Sequence, residues 1–387
     1  MICSNLLELI KNAPVDWKQL GEVGEVRMCK RILKAQTSST GDIPFFKIGT
    51  FGKEPNAYIS RDLYFEYKNK YNYPKVGEIL ISASGTIGRT VKFDGSDAYF
   101  QDSNIVWIEN DESLVLNDYL EYFYQIVNWT VSEGGTIQRL YNDNLRKIKI
   151  AIPPKEIQEK IVEVLDKMTK CVTELTTELT TELTNRNKQY AYYRDLLLSE
   201  ESLAKVGFEW KTLPEIGVNF NFKRKPVTKR NRKTGNYPYY GASGIVDYVD
   251  DYIFDGDYLL ISEDGANLLA RSTPIAFSAS GKFWVNNHAH IVKFETYETR
   301  KFVEYYFSII NISKYIAAAA QPKLTKDNLN RIPIPVPSFK EQSRIVKILD
   351  KFDALTTSLT EGLPKEIELR QKQYEYYREL LLGFNQD

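Results

Sequence analysis

His288 and His290 are the only histidines in this chain of 387 residues. They stand as His-Ala-His, and alternate residues of a strand share a face, so the spacing admits a two-ligand metal site. No cysteine lies near them. Cys3, Cys29 and Cys171 are scattered, odd in number and without CxxC spacing, which reads as free thiols in a reducing cytoplasm. Polar residues at a strand edge, or facing DNA, are the better reading of the histidine pair. "SGTIGRT" at residues 84–90 has the small residues of a phosphate loop but not the GxxxxGK[ST] spacing. No GxSxG nucleophile elbow occurs. Neither an Asn/Asp-Pro-Pro-Tyr/Phe methyltransferase motif nor a glycine-rich adenosylmethionine loop is present. The residues offer no catalytic constellation.

What they do offer is positive charge beside aromatics. "FKRKPVTKRNRKT" at residues 222–234 holds seven Lys/Arg in 13 positions, and "GNYPYYGASG" follows. Arg27, Lys30, Arg31 and Lys34, followed by "AQTSSTGD", form a weaker counterpart earlier in the chain. A single charge run is usually a solvated face. Two at comparable positions favour a polyanion, with Lys and Arg on phosphates and polar loop residues on base edges. The expected DNA-binding set in the first half is Lys30, Arg31, Lys34, Ser38, Thr40, Ser84, Thr86, Arg89, Gln138 and Arg139. In the second half it is Lys223, Arg224, Lys225, Lys229, Arg230, Arg232, Tyr239, Tyr240 and Lys323. Overall charge gives no such signal, because 51 Lys/Arg balance 51 Asp/Glu.

The elements that must position these residues occur twice. "KQYAYYRDLLL" at 188–198 returns as "KQYEYYRELLL" at 372–382, an offset of 184 that holds without a gap back to Asp143-Asn144-Leu145 and Asp327-Asn328-Leu329. "IVEVLDK" matches "IVKILDK", and Gln158 matches Gln342. "WKQLGEVG" from Trp17 and "WKTLPEIG" from Trp210 open the two halves at an offset of 193. The chain is a duplicated two-part unit, variable then constant.

Each constant part reads as a long helix. Apolar residues at Ile161, Leu165, Met168, Val172, Leu175, Leu179 and Leu183 alternate steps of four and three with one extra four-step, a coiled-coil seam repeated from Ile345. Prolines at 153, 154 and 337 mark the entries, and Gly362 with Pro364 predicts a break in the second helix. "TELTTELTTELT" at 173–184 repeats four residues three times. Four residues turn a helix by about 400°, so one unit changes its length by roughly 6 Å and rotates the seam only about 40°. The variable parts read as mixed β with one or two helices: strands in "VGEILISASG", "DGDYLLISEDG", "AYFQDSNIVWIEN" and "KFWVNNHAHIVKFE", helices over 116–131 and 299–316. No apolar run approaches the roughly 20 residues of a membrane span, and the N-terminal residues lack the features of a signal peptide.

The combination of two variable domains alternating with two long helices, the paired "IAIPPKEIQEKIVEVLDKMT" and "IPIPVPSFKEQSRIVKILDKFDAL", "YYRELLL" and a short tandem repeat in the central helix resembles the specificity subunit of type I restriction-modification systems. The resemblance covers nearly the whole chain. It implies an α+β fold, with two mixed α/β target-recognition domains separated by two long helices in an antiparallel coiled coil, and internal pseudo-twofold symmetry. The expected divisions are an N-terminal segment 1–16, recognition domains 17–152 and 200–336, and helices 153–199 and 337–387.

The same resemblance implies a non-catalytic reader of double-stranded DNA. Each recognition domain would take one half of a bipartite asymmetric site and the helices would set the spacer. Two methylation (M) and two restriction/translocation (R) subunits would assemble around it in the cytoplasm, without a membrane. S-adenosylmethionine, ATP and Mg would belong to those partners and no cofactor to this chain. Tyr190, Tyr193, Leu197, Tyr374, Tyr377 and Leu381 are the expected partner-binding residues. The competing readings are a self-sufficient DNA methyltransferase or nuclease with an unrecognised site, and a coiled-coil scaffold that never touches DNA.

Overall fold

The protein is described by a computed structural model covering residues 2–129, 139–317, 321–357 and 362–384. The chain divides into two compact units, one of Met1–Thr177 with Glu368–Asp387 and the other of Glu178–Ile367. The divisions fall inside the long helices, and the first lies within the TELT tract.

In the first unit a four-stranded antiparallel sheet runs Glu25–Arg27, Ile105–Glu109, Ile79–Ser82, Thr90–Lys92. A three-stranded sheet runs Tyr58–Ile59, Ile43–Phe46, Tyr99–Phe100, with the last two parallel. The central strand "ILIS" is buried on both faces, which is why it reads as an unbroken apolar run. Its side chains alternate between two cores. Ile79 and Ile81 join Val106, Ile108, Tyr119 and Leu145 on the helical side, and Leu80 joins Ile105, Trp107, Phe45 and Tyr99 on the other.

The second unit repeats the plan. One sheet runs Val218–Asn219, Ala289–Lys293, Tyr258–Ser262, Ala276–Ala279, and the other Gly244–Val249, Thr234–Gly241, Lys282–Val285, Phe254–Asp255. Leu259 and Ile261 face the helical core, while Tyr258 and Leu260 face the second. Trp17 pairs with Ala151 and Trp210 with Pro335, so the duplication persists in the strand register.

The helix Lys155–Leu197 is 43 residues long, about 65 Å at roughly 1.5 Å per residue. Its opening places Ile161, Val162 and Leu165 in the core of the first unit. Its end places Leu198, with Tyr190 and Leu197 against it, in the core of the second. The second copy divides into Phe339–Thr357 and Leu363–Leu382. Ile345, Val346 and Leu349 enter the second core, and Leu381 and Leu382 the first. Each unit therefore combines the start of one repeat's helix with the end of the other's. The break falls where glycine was anticipated: Gly362 has φ +86°, and a Cβ there would lie 2.6 Å from the Ala354 carbonyl oxygen.

Two buried glutamines tie helices to the domains. Gln158 Nε2 donates to the carbonyls of Leu114 (2.9 Å) and Pro153 (2.8 Å), and its Oε1 accepts from the Leu116 amide at 2.9 Å. Gln342 donates to the Pro337 carbonyl and accepts from the Thr299 hydroxyl, each at 2.9 Å. The helices at Asn117–Tyr124 and Tyr297–Ile309 are shorter than the apolar patterns suggested. No helix among the described residues is long and apolar enough to cross a membrane.

Candidate nucleic-acid interface

In both units a later segment, residues 139–140 in the first and 323–324 in the second, returns to the end of the central strand. The Ala83 amide donates to the Asn104 carbonyl (2.7 Å) and the Ala83 carbonyl accepts from Leu140 (2.8 Å). The Glu263 amide donates to the His288 carbonyl (2.8 Å) and the Glu263 carbonyl accepts from Leu324 (2.7 Å). Isolated bridges Ser84–Arg139 and Asp264–Lys323 sit at the matching places. Arg31 and Arg224, 193 residues apart like the opening tryptophans, both anchor beside these loops. Arg31 Nε donates to Asp102 at 2.9 Å. Arg224 donates to Glu263 at 2.5 Å, to the Ala289 carbonyl at 2.8 Å and to the Asn287 carbonyl at 3.3 Å.

Charge is packed tightly in the second unit. Glu263 also pairs with Lys323 at 3.3 Å and lies 3.6 Å from His290, which is 0% exposed. Burial pushes the Glu263 carboxyl up, but the Arg224 hydrogen bond, the positive charges and the Lys323 contact outweigh it and hold the group below its usual range. Burial lowers His290. Its Nε2–H donates to the Leu324 carbonyl (2.8 Å) and its Nδ1 accepts from the Asn221 side-chain Nδ2 (2.8 Å), the pattern of a neutral ring. His288 instead places Nδ1 2.9 Å from both oxygens of Asp264. The two imidazoles serve different partners, and both nitrogens of His290 are engaged, so His-Ala-His does not form the two-ligand metal site its spacing admits.

The remaining residues of the anticipated set separate by exposure. Lys34, Lys223, Lys225, Lys229 and Arg230 are exposed, as are Ser38, Thr40, Thr86 and Arg139. Lys30 is exposed and lies 5.2 Å over the Tyr71 ring. Arg89 reaches the Phe51 carbonyl at 3.0 Å. Arg232 bonds Asp247 at 3.0 Å and stacks 4.3 Å over Tyr239, so it braces the loop from inside. Tyr239 is buried, its hydroxyl accepting from the Val227 amide, and Tyr240, the next residue of the strand, is half-buried against Phe277 and Phe283. Ser84 is also buried. Gln138 lies outside the described residues.

This duplicated arrangement matches known proteins. The family model described as "Type I restriction modification DNA specificity domain" fits residues 14–185 and again 205–369. The chain belongs to the family of type I restriction-modification specificity subunits. It is 33% identical over 416 aligned residues to the Escherichia coli EcoR124I/EcoR124II specificity subunit, covering 98% of this chain and 97% of that one. It is 65% identical over 181 residues to the putative specificity subunit S.HindORF215P of Haemophilus influenzae, covering 47% of each. A chain solved in a study of type I complex assembly and conformational transition shares the fold at TM-score 0.60 and 15% identity, over 96% of this chain and 99% of that one. The HsdS subunit of Thermoanaerobacter tengcongensis does so at 0.52 and 15%, over 95% and 97%.

As a specificity subunit the chain recognises DNA sequence, and the strand-end loops with their basic surroundings are its candidate reading surface. The tyrosine-rich phrases sit elsewhere. Tyr374 and Leu381 are buried in the first unit, with Thr169 donating its hydroxyl proton to the Tyr374 hydroxyl at 3.0 Å. Tyr190 and Leu197 pack against the second core, and Tyr193 stacks on Phe352 with ring centroids 5.6 Å apart. Tyr374, Leu381, Tyr190 and Leu197 thus pack within their own units, while Tyr193 stays 42% exposed. Tyr377 is half-buried. The preceding residues of the two phrases are more exposed still, Tyr192 at 63% and Tyr376 at 61%, again 184 residues apart.

Proposed function

We propose that the chain is the non-catalytic reader of a type I restriction-modification complex, each unit taking one half of a bipartite asymmetric site in double-stranded DNA. The observation that carries this reading is the pair of matching strand-end loops, built on the same hydrogen bonds but bearing different side chains. Equivalent frames with different residues suit two different half-sites. A relative that is 65% identical over 181 residues, close to one repeat in length, supports exchange of whole units between such proteins.

In this reading the helical parts set the spacer and dock two methylation subunits, with two restriction/translocation subunits completing the complex in the cytoplasm. The matched exposed tyrosines, Tyr192 and Tyr376, suit docking of two copies of one partner. S-adenosylmethionine, ATP and Mg belong to the partner subunits. The experiment is reconstitution. The purified chain alone should neither methylate nor cut DNA, and addition of its methylation subunit should give adenine methylation at one bipartite sequence. Methylation or cleavage by the chain alone, free of partner, would establish the self-sufficient enzyme instead.

A further inference from the structure

The strand register makes position 84 equivalent to 264 and position 104 equivalent to 288: Ser82 faces Ile105 in one unit and Ser262 faces Ala289 in the other, and each pair lies just beyond those ends. In both units the two side chains touch. The Ser84 hydroxyl donates to Asn104 Oδ1 at 2.8 Å. His288 Nδ1 lies 2.9 Å from each Asp264 oxygen, and since a carboxylate only accepts, Nδ1 carries the proton. The inner member of each pair is shielded, Ser84 at 5% and the Asp264 side chain at 14% exposure, whereas the His288 side chain is 48% exposed. The pairs are flanked by Arg139 in one unit and Lys323 in the other.

We propose that Asn104 and His288 are base-reading residues, held by Ser84 and Asp264 as positioning residues, and that these pairs give the two units opposite hydrogen-bonding polarity. The proposal rests on the reading of one half-site per unit. With Nδ1–H given to Asp264, His288 in its neutral form presents Nε2 as an acceptor, which suits the exocyclic amine of adenine or cytosine in the major groove. With Oδ1 engaged by Ser84, Asn104 presents its amide N–H groups as donors, which suits the acceptor edge of guanine or thymine. Arg139 and Lys323 then stand where a phosphate backbone alongside the read base would need cations.

The test transplants the first pair into the second unit. D264S/H288N, assembled with the methylation subunit at pH 7.5, is compared with the wild type by base-resolution mapping of methylated adenines. The expected result is a change at one position of one half-site, from adenine or cytosine toward guanine or thymine by tenfold or more, with the other half-site unchanged. H288Q alone, a change at a half-exposed position, should lower selectivity at the same position, and it keeps the test open if the double variant does not fold. Wild-type enzyme should also lose about tenfold in rate on a substrate whose base there lacks its amino group, and H288Q should not. Active variants with both half-sites unaltered would overturn the base-reading pair and leave one unit per half-site intact. A change in both half-sites at once would overturn the latter.

Discussion

Arg224 commits its guanidinium to Glu263 and two backbone carbonyls, while the adjacent Lys225 stays exposed. The same charge therefore does two jobs within one basic run. Replacing Lys223, Lys225, Lys229 and Arg230 with glutamine should weaken binding to all DNA sequences alike, and each lost phosphate contact should flatten the log–log salt slope by roughly 0.9. Titration of binding against salt measures this, and an unchanged affinity and slope would return the stretch to a solvated face. Arg224→Gln should instead lower stability by about 3 kcal/mol, because it leaves the shielded Glu263 carboxylate short of its main partner; chemical denaturation reads that loss. His290 adds a pH term. The unfolded chain protonates this residue near 6.5, the fold holds it lower, and so the unfolded state takes the proton first as pH falls. Stability should drop from about pH 6.5 down to the folded value by up to roughly 1.4 kcal/mol per pH unit, and thermal melts of H290Q across that range should lack this component.

The buried glutamines and the TELT tract make the argument at the level of elements. Gln158 is fully buried and serves three backbone groups, so Gln158→Ala should cost about 2–3 kcal/mol, measurable by denaturation. The TELT tract has looser surroundings. Leu175, Leu179 and Leu183 are half-buried, and Thr177 and Thr184 return their hydroxyls to the carbonyls four residues back. Deleting residues 181–184 removes about 6 Å of helix, or roughly 1.8 base pairs at about 3.4 Å each. With one helix of the pair shortened, the methylated site should keep both half-sequences and lose about one base pair of spacer. An unchanged spacer in an active enzyme would make the tract a tolerant passenger. The helices, the proline entries and the glycine break were legible in the sequence because periodicity and backbone chemistry are local signals. The interleaving of each helix end into the other repeat's core was not, since an apolar stripe does not name its partner: Tyr374 and Tyr190 pack within their own units.

Across the whole molecule the duplication was the strongest legible feature, and it survives in strand order, register and core composition. The candidate site was legible only in outline. The basic runs pointed toward the strand-end loops, but exposure separated Lys225 from Arg232 and Tyr239, and the Ser84–Asn104 and Asp264–His288 pairs emerged only from paired strands. Double replacement of Tyr192 and Tyr376 by alanine should weaken association with the methylation subunit by tenfold or more while melting temperature stays constant, as titration of the complex would measure. The central claim is that two independent readers share one chain. The direct measurement exchanges residues 205–326 for the equivalent region of a relative, assembles the complex and maps methylated adenines at base resolution. The account predicts a bipartite site in which one half is new and the other is retained. Both halves changing in a folded, active complex would contradict it.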